Sequence, residues 1–313
     1  MICFYHADND GKCAGFWVKK LGKRDSFEDS FIKINYDIDF PFEKIHKNEV
    51  VYIVDYSIQT DEMDRLLEIT PNVIWIDHHK SSIEKYANYD KKIEGLRYDG
   101  IAGCMLTYIY LGCMCHCDTK EVISEFDPQD ADSAPLFTKL IADYDVWTFE
   151  YGDYTRRFEK GFTIYPHEPT DTIWEELLSE EDWYLLVNET TDFADKDIMD
   201  MPLLYSICQS GNNIIEHRKS LMKTICDKKG FETNLDGYKC FAVNMPLMSS
   251  DDFIISNAKM YDLLISFSFN GKLWSYSIRS ETVDCSELAA KYGGGGHKGA
   301  AGFILNSLIL EEK

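Results

Sequence analysis

The stretch VIWIDHHKS, Val73 to Ser81, places an acid and two histidines directly after four apolar residues. A run of β-branched and aromatic residues with no polar alternation reads as a short strand buried on both faces. A single buried histidine is satisfied by one hydrogen bond. Asp77, His78 and His79 together need several partners, and a metal ion is the simplest common one.

Working outward, MICFYHAD and VVYIVDYS are strand-like runs that also end in an acid, Asp8 and Asp55. The segments GKCAGFWVKKLG, TDEMDRLLEIT and IAGCMLTYIYLGC between and after them have helical spacing. Strand–helix alternation with fully apolar strands predicts an α/β fold on a parallel sheet, with ligands beyond the carboxyl ends of its strands. In HADNDG, His6, Asp8 and Asp10 stand two apart, so an extended chain turns all three to one side. Gly11 then permits a sharp turn into a helix. Farther on, LIADYDVW sets Asp143 and Asp145 at the end of another apolar segment.

Taken singly, a carboxylate at a strand end is more often a cap or turn former. Together these segments bring four or five carboxylates and two or three histidines to one sheet edge. Like charges at close range disfavour joint ionisation, and two divalent cations relieve that cost. Mixed imidazole and carboxylate donors suit Mn²⁺, with Mg²⁺, Fe²⁺ or Co²⁺ as alternatives, rather than thiolate-bound zinc.

Composition narrows the class further. The 313 residues are enough for two domains with real cores, and no stretch approaches the roughly 20 apolar residues of a membrane helix. The amino-terminal residues do not read as a secretory signal, and ten cysteines without one point to reduced thiols and a cytoplasmic location. Against 32 basic residues stand 54 acids, a net charge of −22. Such a surface repels a long polyanion, so long nucleic acid and membrane surfaces are not expected partners.

HADNDG, VDYS, IDHHKS and IADYD resemble motifs one to four of the DHH phosphoesterases, in order. SIRS and GGGGHKGAAGF are similar to the family's carboxyl-terminal DHHA1 domain, so the resemblance runs from His6 to Phe303. Relatives in that family include RecJ-type exonucleases, nanoRNases, cyclic dinucleotide phosphodiesterases and family II pyrophosphatases. The resemblance implies that His6 and Asp8 hold one metal, that Asp10, His78 and Asp143 hold the other, and that Asp55 bridges. It further implies that Asp77 orients its neighbours and that His79 faces the substrate phosphate. Alternation along extended chain would separate His78 from His79. Asp143 is preferred to Asp145 because IAD directly follows the apolar run.

The resemblance divides the chain into a metal-binding catalytic DHH domain (1–200), a helical linker (201–229) and a smaller α+β DHHA1 domain (230–313). GGGHKG (Gly294–Gly299) fits a dinucleotide fingerprint formally, but a helix rather than a strand precedes it. Within the resemblance, Gly295, Gly296 and His297 contact substrate, with Arg279 as partner, and the active site lies between the domains. CMCHC (Cys113–Cys117) lacks a second ligand pair and reads as structural. Residues 118–138 and 150–200 are acidic and read as largely solvated helical insertions and loops, except that the aromatic-rich DTIWEELLSEEDWYLL has helical spacing and reads as packing in a core or interface.

The expected activity is two-metal hydrolysis of phosphodiester or phosphomonoester bonds in short oligonucleotides or nucleoside phosphates. Cyclic dinucleotides, and inorganic polyphosphate or pyrophosphate, are the alternative substrates. A homodimer is among the assemblies left open.

Overall fold

The structure is a computed structural model that describes all residues except 117–130, 132, 189–197, 199, 247, 249–251, 254, 256–257 and 311–313. The chain divides into two compact units, Met1–Asn212 and Asn213–Lys313.

The first unit is built on four parallel strands: β1 (Ile2–His6), β2 (Ser30–Ile34), β3 (Val51–Val54) and β4 (Val73–Ile76). Their order is β2-β1-β3-β4. Helix α1 (Asn9–Leu21) connects β1 to β2, and α2 (Thr60–Ile69) connects β3 to β4. The chain therefore leaves β1 toward one side and β3 toward the other. The carboxyl ends of β1 and β3 form the switch point, where a doubly wound sheet opens a crevice.

The apolar runs arise because both sheet faces are covered. Cys3, Tyr5, Tyr52, Val54, Ile74 and Ile76 enter a core with α1, α4 (Gly103–His116) and α5 (Leu136–Asp145). Their alternates, Ile2, Phe4, Val51, Ile53, Val73 and Trp75, meet Met63 and Leu66 of α2 and Phe42 of a short 3₁₀ turn. Burying one such side chain contributes roughly 1.5–3 kcal/mol, so each face is a strong constraint on register.

Strand β2 has no counterpart in the sequence reading. It pairs only with β1 and is half-exposed, so SFIKI lacks the continuous apolar signature of the inner strands. The expectation of a solvated acidic insertion fails for α6 (Asp153–Phe162), whereas α7 (Ile173–Asn188) is the packed helix that DTIWEELLSEEDWYLL leads one to expect. Phe158, Phe162, Trp174 and Leu177 are buried in the first unit's core, with Trp174 stacked on Phe16 at 5.5 Å. Buried Glu181 accepts hydrogen bonds from the backbone N–H of Leu136, where α5 begins. The side chains of Cys113 and Cys115, and the whole of Cys117, lie outside the described residues.

Helix α8 (Pro202–Lys229), the stretch expected as a linker, contributes to both cores. Leu204, Ile207 and Cys208 belong to the first, Met222 and Cys226 to the second.

The second unit is a six-stranded sheet in the order β5-β6-β7-β8-β10-β9. The strands are β5 (Gly230–Leu235), β6 (Tyr238–Asn244), β7 (Leu263–Phe269), β8 (Trp274–Arg279), β9 (Gly295–His297) and β10 (Ala300–Leu305). Only β6 and β7 pair in parallel. Helix α9 (Cys285–Lys291) packs Leu288 and Ala289 with Ile265, Ile278, Ala301 and Phe303. Two strands are additional to the sequence reading. One is β5, joined to β6 by the left-handed Asp236–Gly237 turn, and the other is β9, formed by the glycine run itself. Among the described residues, no helix is long and apolar enough to cross a membrane.

Helices α6 and α8 meet through glycines. A Cβ on Gly211 would lie 1.7 Å from the Arg157 carbonyl oxygen, and one on Gly161 would lie 1.8 Å from that of Ile207. Alanine favours a helix over glycine by about 1 kcal/mol. Here the blocked contact is backbone, which cannot rotate away, so overpacking outweighs propensity. Gly211→Ala should lower the unfolding free energy by about 2 kcal/mol in urea titration. An increase would show that the two helices separate without cost.

Candidate metal centre

Strand β1 ends at His6, and the chain turns at once into α1. Asp8 is the N-cap of that helix and accepts the Gly11 N–H at 2.9 Å, while Asp10 sits in its first turn. The two-residue spacing thus spans a strand end and a helix start rather than continuous extended chain. Gly11 is required by close approach rather than by turn freedom, since a Cβ there would lie 2.4 Å from the His6 carbonyl oxygen. Asp10 is buried and accepts the Gly103 and Cys104 N–H groups, at 2.7 and 2.8 Å, at the start of α4. Gly103 is equally constrained: its Cβ would come within 2.7 Å of Asp55 Cβ.

Asp55 follows β3 and is 1% exposed, with a left-handed φ of 54°. A non-glycine residue in that region costs about 1–3 kcal/mol and persists only where its surroundings hold it. Its two oxygens face different histidines. Oδ2 lies 3.6 Å from His6 Nδ1, and Oδ1 lies 3.2 Å from His78 Nε2. His78 Nε2 also approaches Asp10 Oδ2 at 3.7 Å and Asp145 Oδ2 at 3.4 Å. His6 Nε2 is 3.3 Å from Asn35 Oδ1, which directs the Nδ1 lone pair of the neutral ring at the Asp8 and Asp55 carboxylates.

Two compact donor sets result, His6–Asp8–Asp55 and Asp10–His78–Asp145, each with its donor atoms within 4.8 Å of one another. Asp55 also groups with His78 and His79. His6 Nδ1 and Asp55 Oδ2 are buried without a hydrogen bond, although His6 Nδ1 is 2.7 Å from Asp8 Oδ2. That separation brings two electron pairs together unless a proton or a cation lies between them.

The electrostatics state the same conflict. Burial, then the Asp55 charge, pushes Asp10 up to about 7. Burial, then Asp10, does the same to Asp145. Asp55 is also raised, chiefly by burial. His6 is lifted to about 10 by Asp55 and Asp8. Burial alone would lower His78, but Asp55, Asp10 and Asp145 overcome it and hold it at about 10. Without cations, then, the cluster must retain protons at neutral pH. Oxygen and imidazole donors arranged this way fit divalent cations, which would replace those protons.

Asp143 is placed differently from the sequence expectation. It accepts hydrogen bonds from Thr148 Oγ1 at 2.5 Å, Glu150 N at 2.8 Å, Tyr151 N at 3.3 Å and the Thr155 hydroxyl. These bonds outweigh burial and keep its carboxyl below the ordinary range. The residue that joins the donor set is Asp145. The physical reason is that α5 runs through both, and residues two apart on a helix point about 200° away from each other.

Asp77 is fully buried. Its Oδ1 accepts His78 N at 2.9 Å and lies 2.7 Å from His79 Nδ1, while Oδ2 accepts Ser57 Oγ at 3.2 Å. The hydrogen bond that His79 donates to the Asp77 carboxylate raises the His79 pKa. The two histidines do not point to opposite sides, for their ring centroids are 4.7 Å apart. β4 stops at Ile76 and His79 already caps the next helix, α3 (Lys80–Tyr86), so strand alternation no longer applies.

Arg279, Gly295, Gly296 and His297 lie in the second unit. Ala300 pairs with both Arg279 and His297, which sets those two residues on one sheet face. Arg279 Nη1 donates to Ser277 Oγ at 2.8 Å. The glycines are needed by their neighbouring strand: a Cβ on Gly294 would lie 2.1 Å from Gly302 O, and one on Gly296 2.5 Å from Ala301 Cα. A Cβ on Gly295 would face open space, and His297 is exposed.

No family model matches the chain. The uncharacterized protein R106 of Acanthamoeba polyphaga mimivirus is 24% identical over 291 residues, covering 88% of this chain and 57% of that protein. The chain thus spans little more than half the length of the curated relative it matches. Among solved structures, it is similar to an exopolyphosphatase-related protein from Bacteroides fragilis, at 17% identity and a TM-score of 0.45, covering 98% of this chain and 87% of that one. Exonuclease RecJ bound to manganese aligns at 13% identity and a TM-score of 0.45, over 97% of this chain and 85% of that one. The pGpG-specific phosphodiesterase PggH from Vibrio cholerae gives 13% and 0.37, over 97% and 92%.

The two acids of α5 can be separated by experiment. Asp145→Asn should reduce Mn²⁺ stoichiometry, read by calorimetry, while apo stability holds or rises as like charges are relieved. Asp143→Asn should keep the stoichiometry and lose about 1–3 kcal/mol of stability, because its bonds pin the following loop. The reverse pattern would restore Asp143 as the ligand.

Proposed function

We propose that the chain is a metal-dependent phosphoesterase of the DHH type, acting on phosphodiester or phosphomonoester bonds of short oligonucleotides or nucleoside phosphates. The observation that carries this reading is Asp55, which offers one oxygen toward each histidine-containing donor set. A carboxylate shared in this way lets two cations sit close together. The order of HADNDG, VDYS, IDHHKS and the α5 acids along the chain supports the same family.

His6, Asp8, Asp10, Asp55, His78 and Asp145 would hold the cations, with Mn²⁺ the best match to their donor types. Bound there, such ions polarise phosphoryl oxygens and lower the pKa of water near neutrality. Asp77 fixes His79 through Nδ1, which leaves Nε2 to carry a proton toward a phosphate oxygen. The Asp77 carboxylate raises the His79 pKa and so favours the charged ring as negative charge builds on that oxygen. In the second unit, Arg279 and the exposed Gly295, Gly296 and His297 are the proposed substrate contacts. The net charge of −22 supports a small anionic substrate over a long strand.

A panel of a linear dinucleotide, a nucleoside bisphosphate, a cyclic dinucleotide and pyrophosphate tests the reading. EDTA should abolish hydrolysis and Mn²⁺ restore it. Asp55→Asn should cost at least about a hundredfold in rate. Because protons held by His6 and His78 compete with the cations, Mn²⁺ affinity should rise from pH 6 to pH 8. Hydrolysis that persists in EDTA would overturn the proposal.

A further inference from the structure

The segment after Asp145 contains strained backbone that the metal centre does not explain. Trp147 and Phe149 both adopt left-handed φ, 59° and 53°. For bulky side chains such conformations cost about 1–3 kcal/mol each and need surroundings that enforce them. Asp143 supplies the enforcement, since its carboxylate holds Thr148, Glu150 and Tyr151 on either side of Phe149. The outcome is a tryptophan that is 67% exposed. By contrast, Trp17, Trp75 and Trp174 are buried.

Two residues of chain span at most about 7 Å, so the Trp147 Cα lies within that distance of the Cα of Asp145, a member of the Asp10–His78–Asp145 donor set. Its ring belongs to an aromatic patch, 5.9 Å from Tyr144 and 5.2 Å from Phe149 between centroids. Cations flank that patch. The Arg156 guanidinium lies 4.5 Å over the Phe149 ring, and Lys160 donates to the Tyr144 hydroxyl at 3.2 Å. An exposed indole two residues beyond a donor-set acid, with basic groups alongside its aromatic patch, matches a nucleotide: a flat base joined to a phosphate.

Resting on the proposed phosphoesterase reading, we propose that Trp147 is a stacking platform for the nucleobase next to the phosphate held at the metal centre, making it a specificity-determining residue for base-bearing substrates. The strained loop is then retained for substrate binding, at a cost to stability. Glycine at a left-handed position relieves strain, so Trp147→Gly should lose stability only where the indole itself has a structural role.

The experiment compares wild type, Trp147→Gly and Trp147→Phe on diadenosine dinucleotide and on abasic counterparts lacking the base at either end. For Trp147→Gly, the ratio of kcat/KM on diadenosine to that on an abasic analogue should fall about fivefold or more, through KM. Its Tm should hold or rise, and Trp147→Phe should restore most of the ratio. A phosphorothioate-linked diadenosine should quench tryptophan fluorescence in wild type but not in Trp147→Gly, a readout independent of turnover. An unchanged ratio, a lower Tm, or a changed association state in Trp147→Gly would overturn the assignment. Quenching at Trp147 without hydrolysis of any substrate would sink the phosphoesterase reading and the substrate role with it, leaving base binding alone. Hydrolysis without quenching would do the reverse.

Discussion

The first unit is organised around a charge conflict at one place. Four carboxylates and two imidazoles converge beyond the ends of β1, β3 and β4, with Asp55 buried between them in a left-handed conformation. Left alone, such a group must hold protons against their ordinary pKa values, as Asp10, Asp145, His6 and His78 all do. Divalent cations would resolve the conflict without protons.

Much of the surrounding structure keeps these groups at close range. Gly11 lets α1 begin against the end of β1, and Gly103 lets α4 begin against Asp10 and Asp55. Asp77 fixes the backbone and ring of its neighbours, and Asp143 fixes the loop after α5. The helical layer of α6 and α7 fills the core beneath, where Trp174 stacks on Phe16. Chemistry and packing are thus separated by residue: the buried acids that do not face the cluster are satisfied by hydrogen bonds.

The inner strands were legible because burial on both faces leaves no polar alternation in ICFY, VYIV or VIWI. Edge strands β2 and β9 were not, since one-sided pairing and exposure remove that signature. Five of the six donor-set residues, His6, Asp8, Asp10, Asp55 and His78, were visible as acids and histidines at strand ends. The sixth, Asp145, stands in the sequence only as the alternative to Asp143: the apolar run before IAD favours Asp143, whereas LFTKLIADYD is helical and turns Asp143 the other way. The alternation assumed for His78 and His79 failed for a related reason, as the strand had already ended. Solvent exposure of Trp147 had no sequence signal, because it depends on hydrogen bonds that Asp143 makes to residues farther along.

The central claim is that Asp55 is shared between two cation sites. The most direct test is anomalous diffraction at the manganese edge from crystals of the protein soaked in Mn²⁺. The account predicts two peaks, one among His6, Asp8 and Asp55 and the other among Asp10, His78 and Asp145, with Asp55 contacting both. A single peak, a peak ligated by Asp143, or an Asp55 carboxylate that touches neither ion would contradict it.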